Sequence, residues 1–281
     1  MTQTDTLTVD PQQELRAEAI SVGYGDHLVI PALSLEVATG AVTALIGPNG
    51  CGKSTLLRTL ARLLSPRSGT VLLDGHDIHR LPTKQVARRL GILPQSPLAP
   101  ESITVGDLVW RGRHPHQRLG QRRSTVDEEA VLDALEATGC AELVDRRVDS
   151  LSGGQRQRVW ISMALAQQTP YLLLDEPTTF LDIAHQLEVL DLLIDLNQSR
   201  GTTIVLVSHD LNQAARYADV VVAMAQGRIL GQGHPGEVIT AELVSQVYGI
   251  TAEVMPHPVT GHPLVLPLGR HDPRPAARDD T

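Results

Sequence analysis

The sequence predicts an α/β fold, with a mainly parallel sheet, an N-terminal antiparallel β subdomain and a helical insertion. Three observations predict it. The apolar run Ala41–Ile46 leads into Gly47-Pro48-Asn49-Gly50-Cys51-Gly52-Lys53-Ser54-Thr55 and then into a helical run. Two more short apolar runs end in chemistry-bearing residues: Tyr171–Asp175 is followed by Glu176, and Thr203–Val207 by Ser208-His209-Asp210. Strand-like and helix-like segments alternate along most of the chain, as crossover connections between parallel strands require.

The elements follow in order. Residues 1–13 are polar and proline-bearing, the composition of a loose tail. Leu15–Val22 and Leu28–Val37 alternate enough to predict an antiparallel pair. The helix from Ser54 to Leu64 carries Leu56, Leu57, Leu60, Leu63 and Leu64 along one side. Gly69–Asp74 is a short strand, Pro82–Arg89 a helix, and Leu90–Pro94 a strand ending at Gln95. From about residue 96 to 150 strand signals fade and helices at Val105–Arg111 and Thr125–Thr138 take over, the second opened by Ser124 or Thr125 with acids in its first turn. Leu151-Ser152-Gly153-Gly154-Gln155 opens a helix to about Ala166. A helix at Ile183–Asn197 places Ile183, Leu187, Leu190 and Ile194 on one face. After Asp210 a helix reaches Tyr217, and Val220–Ala225 pairs with Arg228–Gly231 across Gln226-Gly227. A last helix covers Thr240–Tyr248, and the remainder is rich in Pro, His and Gly, with residues 271–281 expected as a second tail.

Composition narrows the function classes. Aromatics make up 2% of 281 residues, so the core must be aliphatic. A formal charge of −8 argues against a nucleic-acid partner, which usually meets a basic face. Cys51 and Cys140 form no paired motif, as expected for a reducing compartment. The first fourteen residues lack the apolar centre of a signal peptide, and no apolar run is long enough to cross a bilayer. Seven of the histidines (His76, His79, His114, His116, His257, His262 and His271) have no ligand spacing and are expected in solvated loops.

The loop Gly47–Thr55 fits the pattern Gly, four residues, Gly-Lys-Ser/Thr between strand and helix. Its glycines let successive N–H groups turn inward around anionic oxygens, and the helix N-terminus adds positive charge at the same place. In such a nest Lys53 reaches the terminal phosphates of a nucleotide and Ser54 ligates Mg²⁺. About 120 residues later Asp175 stands where a second acidic strand end holds Mg²⁺ through its shell. Glu176 beside it can act as general base on the attacking water, or be an exposed acid next to a metal site. Tyr24, between Gly23 and Gly25, is a candidate to stack on a base; a packed surface tyrosine is the alternative. His209 is either a structural residue after a strand or a group facing the phosphates.

Leu151-Ser152-Gly153-Gly154-Gln155 resembles the signature of ATP-binding-cassette (ABC) transporter ATPases, and the similarity extends over almost the whole chain. The resemblance implies a RecA-like P-loop NTPase core over about residues 14–270 that hydrolyses ATP with Mg²⁺. It implies a head-to-tail dimer with a second copy, in which Ser152, Gly153, Gly154 and Gln155 of one chain cap the ATP held by the other. It assigns Gln95 to sensing of Mg²⁺ and of the permease, Asp182 to cross-dimer contacts, His209 to the γ-phosphate and Tyr24 to the adenine. Two permease transmembrane subunits and, indirectly, a periplasmic or lipoprotein substrate-binding protein are implied as partners. The place implied is the cytoplasmic face of the cell membrane.

Three further stretches resemble ferric-siderophore (ferric-enterobactin-type) importer ATPases. They are Thr104–Val109 with Arg111–Gln117, Thr178–Gln186, and His209–Ala214 with Arg216-Tyr217; the tail Pro263–Arg270 is similar as well. Haem and cobalamin importers share much of this pattern. A soluble cassette without a permease and a phosphate-loop kinase are the readings from other classes.

Overall fold

The computed structural model describes residues 14–117, 124–179 and 181–269, so both expected tails lie outside the described residues. The elements are β1 (Leu15–Tyr24), β2 (His27–Val37), β3 (Val42–Ile46), α1 (Lys53–Leu60), β4 (Ser68–Leu73), β5 (His76–Asp77), α2 (Thr83–Arg89), β6 (Leu90–Leu93), α3 (Val105–Trp110), α4 (Thr125–Ala137), α5 (Gly153–Ala166), β7 (Tyr171–Asp175), α6 (Ile183–Arg200), β8 (Thr203–Val207), α7 (Leu211–Tyr217), β9 (Val220–Ala225), β10 (Arg228–Gly233), α8 (Pro235–Val238), α9 (Ala241–Tyr248), β11 (Thr251–Pro256) and β12 (Pro263–Leu268).

The central sheet runs β10-β9-β3-β8-β7-β6, with every neighbouring pair parallel except the β9–β10 hairpin. Strands β3, β7 and β8 are buried at every position, which is why each reads as a continuous apolar run. A second sheet, β2-β1-β4-β5, is antiparallel and carries the expected β subdomain. It closes over α1 and one face of the central sheet, with Ile20, Ile30, Leu56, Leu60 and Tyr171 in that layer. The other face packs against α5, α6 and the helical insertion. This order decides the site: β3, β8 and β7 are adjacent, so their carboxyl ends deliver the glycine-rich loop, His209 and Asp175-Glu176 to one edge.

The helical insertion is built on α5. Val105, Leu108, Val109, Val131, Ala134 and Leu135 of α3 and α4 share a core with Val159 and Ile161 of α5. Thr104 and Ser124 cap α3 and α4 by accepting from the Asp107 and Asp127 amides. One charge pair is buried inside it: Arg113 Nε lies 2.8 Å from Asp127 Oδ1, with Arg113 only 4% exposed.

Three expectations are corrected. Helix α1 ends at Leu60 instead of Leu64, because Arg62 turns into the left-handed region (φ 61°). Leu63 is thereby turned out to 60% exposure. On α6 the buried stripe is Val189, Leu190 and Leu193, while Ile183 is 78% exposed, since the first turn stands clear of the sheet. The Pro- and His-rich remainder contains an antiparallel ribbon, β11–β12, paired from Thr251↔Leu268 to Pro256↔Pro263. Its prolines argue against a strand in sequence, yet they sit on a two-stranded ribbon where missing N–H groups cost little. His257 and His262 close its turn, the His257 N–H donating to the His262 carbonyl at 2.8 Å.

Candidate active site

The loop after β3 needs its glycines. Gly47 has φ 146°, and a Cβ there would meet the Met224 carbonyl oxygen at 2.1 Å. Gly52 caps α1 at φ 110° and offers no side chain to the first amides, so the helix opens without a side-chain cap. Lys53 is 5% exposed, and its ammonium is held over the loop by the Gly47 and Pro48 carbonyls at 2.7 and 3.1 Å. Cys51 is buried beneath the loop, and burial pushes its thiol up against the opposing pull of Lys53. That fits a small packed residue rather than a reactive one.

Ser54 Oγ donates to Asp175 Oδ1 at 2.8 Å, which ties α1 to the end of β7. Asp175 is 1% exposed, and burial raises its pKa, the Ser54 hydrogen bond and the charge of Arg58 opposing. Its Oδ2 is buried and accepts no hydrogen bond, with Arg58 Nη2 at 3.9 Å. An undercoordinated buried carboxylate oxygen beside a hydroxyl is a donor set suited to a hard cation.

Glu176 has φ 55°, a region that non-glycine residues avoid, and this turns its side chain back over the sheet edge. Three segments converge on it. Gln95 Nε2 donates to Oε2 at 2.7 Å, Thr179 Oγ1 donates to Oε2 at 3.2 Å, and His209 Nε2 lies 2.5 Å from Oε1. The sequence-predicted residues Gln95, Asp175, Glu176 and His209 therefore meet at one place, beside Ser54 and Lys53.

The others are more dispersed. Tyr24 ends β1, half-exposed at 46%, and pairs with His27 across the β1–β2 turn. Two residues further along β2, Val29 approaches Gly52, so the ring stands on the hairpin that flanks the phosphate loop. Ser152, Gly153, Gly154 and Gln155 begin α5 on the surface. Ser152 Oγ accepts from the Gln155 N–H and Gln155 Oε1 from the Ser152 N–H, both at 3.2 Å, a closed capping box. Asp182 caps α6 and holds His185 through both its N–H and its ring at 3.0 and 2.7 Å. Those hydrogen bonds set its carboxyl below the usual range.

Sequence reasoning missed three participants. Arg58 lies one helical turn after Ser54, and Thr179 three residues after Glu176; both spacings could have flagged them. Tyr248 could not have been found locally. It arrives from α9 with its hydroxyl buried beside the Gly47 amide and Cys51, and burial pushes it up to about 12 against the opposing effect of the Gly47 amide.

Residues 30–179 match the ABC transporter family model. The ferric enterobactin transport ATP-binding protein FepC of Escherichia coli K12 is 53% identical over 262 residues, covering 93% of this chain and 97% of that one. The chain belongs to the ABC transporter family. A second relative of this cassette, the iron(3+)-hydroxamate import ATP-binding protein FhuC of Bacillus subtilis 168, is 48% identical over 90% of this chain and 94% of its own. Among solved structures, cbiO1 of Clostridium perfringens, part of the complex cbiONQ, matches with TM-score 0.71 and 31% identity, covering 83% of this chain and 93% of cbiO1. The dimeric ABC cassette MJ0796 matches with TM-score 0.71 and 26% identity, over 78% of this chain and 98% of that one. Among the described residues of this cassette, no helix is long and apolar enough to cross a membrane.

Proposed function

We propose that this cassette is the ATP-hydrolysing subunit that powers import of a ferric siderophore through an ABC permease, working as a head-to-tail dimer. The observation that carries the chemistry is the Glu176 cluster, where Gln95, His209 and Thr179 meet one carboxylate beside the Lys53 loop. Lys53 and the amides of Gly50, Cys51, Gly52, Ser54 and Thr55 bind the phosphates, with Gly47, Pro48 and Asn49 shaping the turn. Tyr24 stacks on the adenine. Ser54 and Asp175, with Gln95 beside them, would hold Mg²⁺, which when bound neutralises charge on the phosphates.

Glu176 takes the proton of the attacking water. Its oxygens carry three contacts, Oε1 with His209 and Oε2 with Gln95 and Thr179, which leaves acceptor capacity on Oε1 for the attacking water. His209, released, reaches the γ-phosphate. Ser152–Gln155 caps the nucleotide of the second copy, and Asp182 lies across the dimer contact. The dimeric form of MJ0796 supports this pairing. Siderophore import rests on FepC and FhuC, whose names give ferric enterobactin and iron(3+)-hydroxamate. Membership of cbiO1 in cbiONQ supports assembly with other subunits, here at the cytoplasmic face of the membrane.

Glu176→Gln keeps the hydrogen-bonding shape and removes the base. Phosphate release from MgATP should fall by about 10²–10⁴-fold while nucleotide binding persists. Unchanged turnover would remove Glu176 from the chemistry. Growth on single siderophores after deletion of the gene tests the substrate class.

A further inference from the structure

Side-chain amides join three stretches that are distant in sequence, Thr178–Gln186, His209–Tyr217 and Pro263–Leu268. Asn212 Nδ2 donates to the Val265 carbonyl at 3.2 Å, and its Oδ1 accepts from the Val265 N–H at 2.7 Å. One amide thus occupies both backbone groups in the middle of β12, at a residue only 2% exposed. The next residue, Gln213, donates through Nε2 to Gln186 Oε1 at 2.8 Å. Gln186 Nε2 in turn points at the carbonyls of Leu181 and Thr178, at 3.2 and 3.4 Å.

The two ends of this chain of amides matter. Thr178 and Leu181 belong to the turn between Glu176 and Asp182. Thr179, within that turn, holds Glu176 Oε2. Asn212 and Gln213 open α7 immediately behind His209, where Asp210 accepts from both of their N–H groups at 2.8 and 3.0 Å. Apolar packing alone would let α7 and the turn slide past each other. Hydrogen bonds to a specific amide and to specific carbonyls have direction, and they fix a register.

We infer that Asn212, Gln213 and Gln186 are positioning residues that make the His209 segment and the Glu176–Asp182 turn move as one body, with the β11–β12 ribbon as its anchor. The inference rests on the ATPase reading for its meaning in catalysis, but not for its detection. None of the three touches the phosphate loop; they act through the backbone that carries His209 and Glu176.

The test uses the full-length chain with two readouts. Amide hydrogen exchange needs no turnover. Gln213→Ala should speed exchange at Thr179 and Leu181, whose N–H groups it does not contact. Asn212→Ala should do so at Val265 and at that same turn. In MgATP hydrolysis each variant should lose roughly two- to tenfold in kcat, the worth of one hydrogen bond, with KM moved less than about twofold. Gln186→Ala combined with Gln213→Ala should be no worse than the poorer single variant, since both break one connection. Gln186→Glu keeps the acceptor for Gln213 but loses the donor to the carbonyls, so it should share the defect. Exchange changes confined to α7 and the ribbon would overturn the coupling, as would kcat and KM moving together in proportion to lost stability. If the unaltered chain releases no phosphate, the ATPase reading falls, and the exchange result still decides whether the segments are joined.

Discussion

Helices α1 and α5 both begin after a glycine- or serine-bearing turn, and they are finished in opposite ways. At α1 the capping residue is Gly52, which covers nothing, and Lys53 is buried against its own loop carbonyls. At α5 the first turn is closed by the Ser152–Gln155 box, and Ser152 and Gly153 face solvent. The first is an enclosed receptor whose amides no side chain caps; the second is a rigid edge with room in front of it. A Cβ on Gly153 would meet nothing within 4 Å in the chain. On the proposed reading the enclosed end serves the chain's own nucleotide and the open edge serves a nucleotide carried by another copy.

The largest effect that tests this contrast is at the enclosed end. Lys53→Ala removes the buried cation aimed at the phosphates, and MgATP turnover should fall by about 10²–10³-fold, as loss of one preorganised charge-stabilising donor does. Binding of ATP to the single chain, followed by fluorescence titration, should weaken with it. Retained affinity would mean that the amides alone hold the nucleotide.

Gly153→Asp probes the open edge. An acid in the first turn favours a helix by about 0.3–1 kcal/mol, so the melting temperature should hold or rise slightly. The same charge would repel an arriving phosphate. Turnover should drop by roughly tenfold or more while single-chain ATP affinity stays put. A loss of affinity in the monomer would erase the distinction between the two ends.

The enclosed site was legible in the sequence because its parts are local or periodic. Gly47–Thr55 is contiguous, Asp175 ends and Glu176 follows one short apolar strand, and His209 comes just after another, the burial of both being visible in their composition. Strand order was not legible: β8, β7 and β6 are neighbours only because of crossover topology, and that is what brings His209, Glu176 and Gln95 together. The β11–β12 ribbon was hidden by its prolines and histidines, which local rules read as turn. Its registration through Asn212 depends on a contact spanning 53 residues, beyond the reach of any window. Leu63 and Ile183 misled for a related reason: helical spacing gives a face but not where the neighbouring layer stops.

The smallest effect on nucleotide chemistry, and the largest on stability, lies at the far end of α5. Arg113 Nη1 donates to the Ala166 carbonyl at 2.7 Å and to Gln168 Oε1 at 3.2 Å, while its Nε holds Asp127, whose other oxygen accepts from Ser124 Oγ at 2.7 Å. Burial by itself raises the Asp127 carboxyl, but the Ser124 and Arg113 hydrogen bonds and the Arg113 charge together bring it below the ordinary value. A carboxyl depressed in the folded chain contributes stability above its unfolded pKa, of about 4, and loses it as pH falls through the lower folded value. Asp127→Ala leaves Arg113 buried without its counter-charge and should cost about 3–5 kcal/mol at neutral pH. Urea unfolding should show the parent and variant converging at acid pH, once Asp127 is protonated in both states of the parent. The phosphate loop belongs to the opposite hydrophobic layer, so ATP affinity at 25 °C should change less than about twofold in the folded variant. A stability gap that is the same at every pH would show that packing around Arg113, rather than the charge pair, seats α5 and so holds its open edge in place.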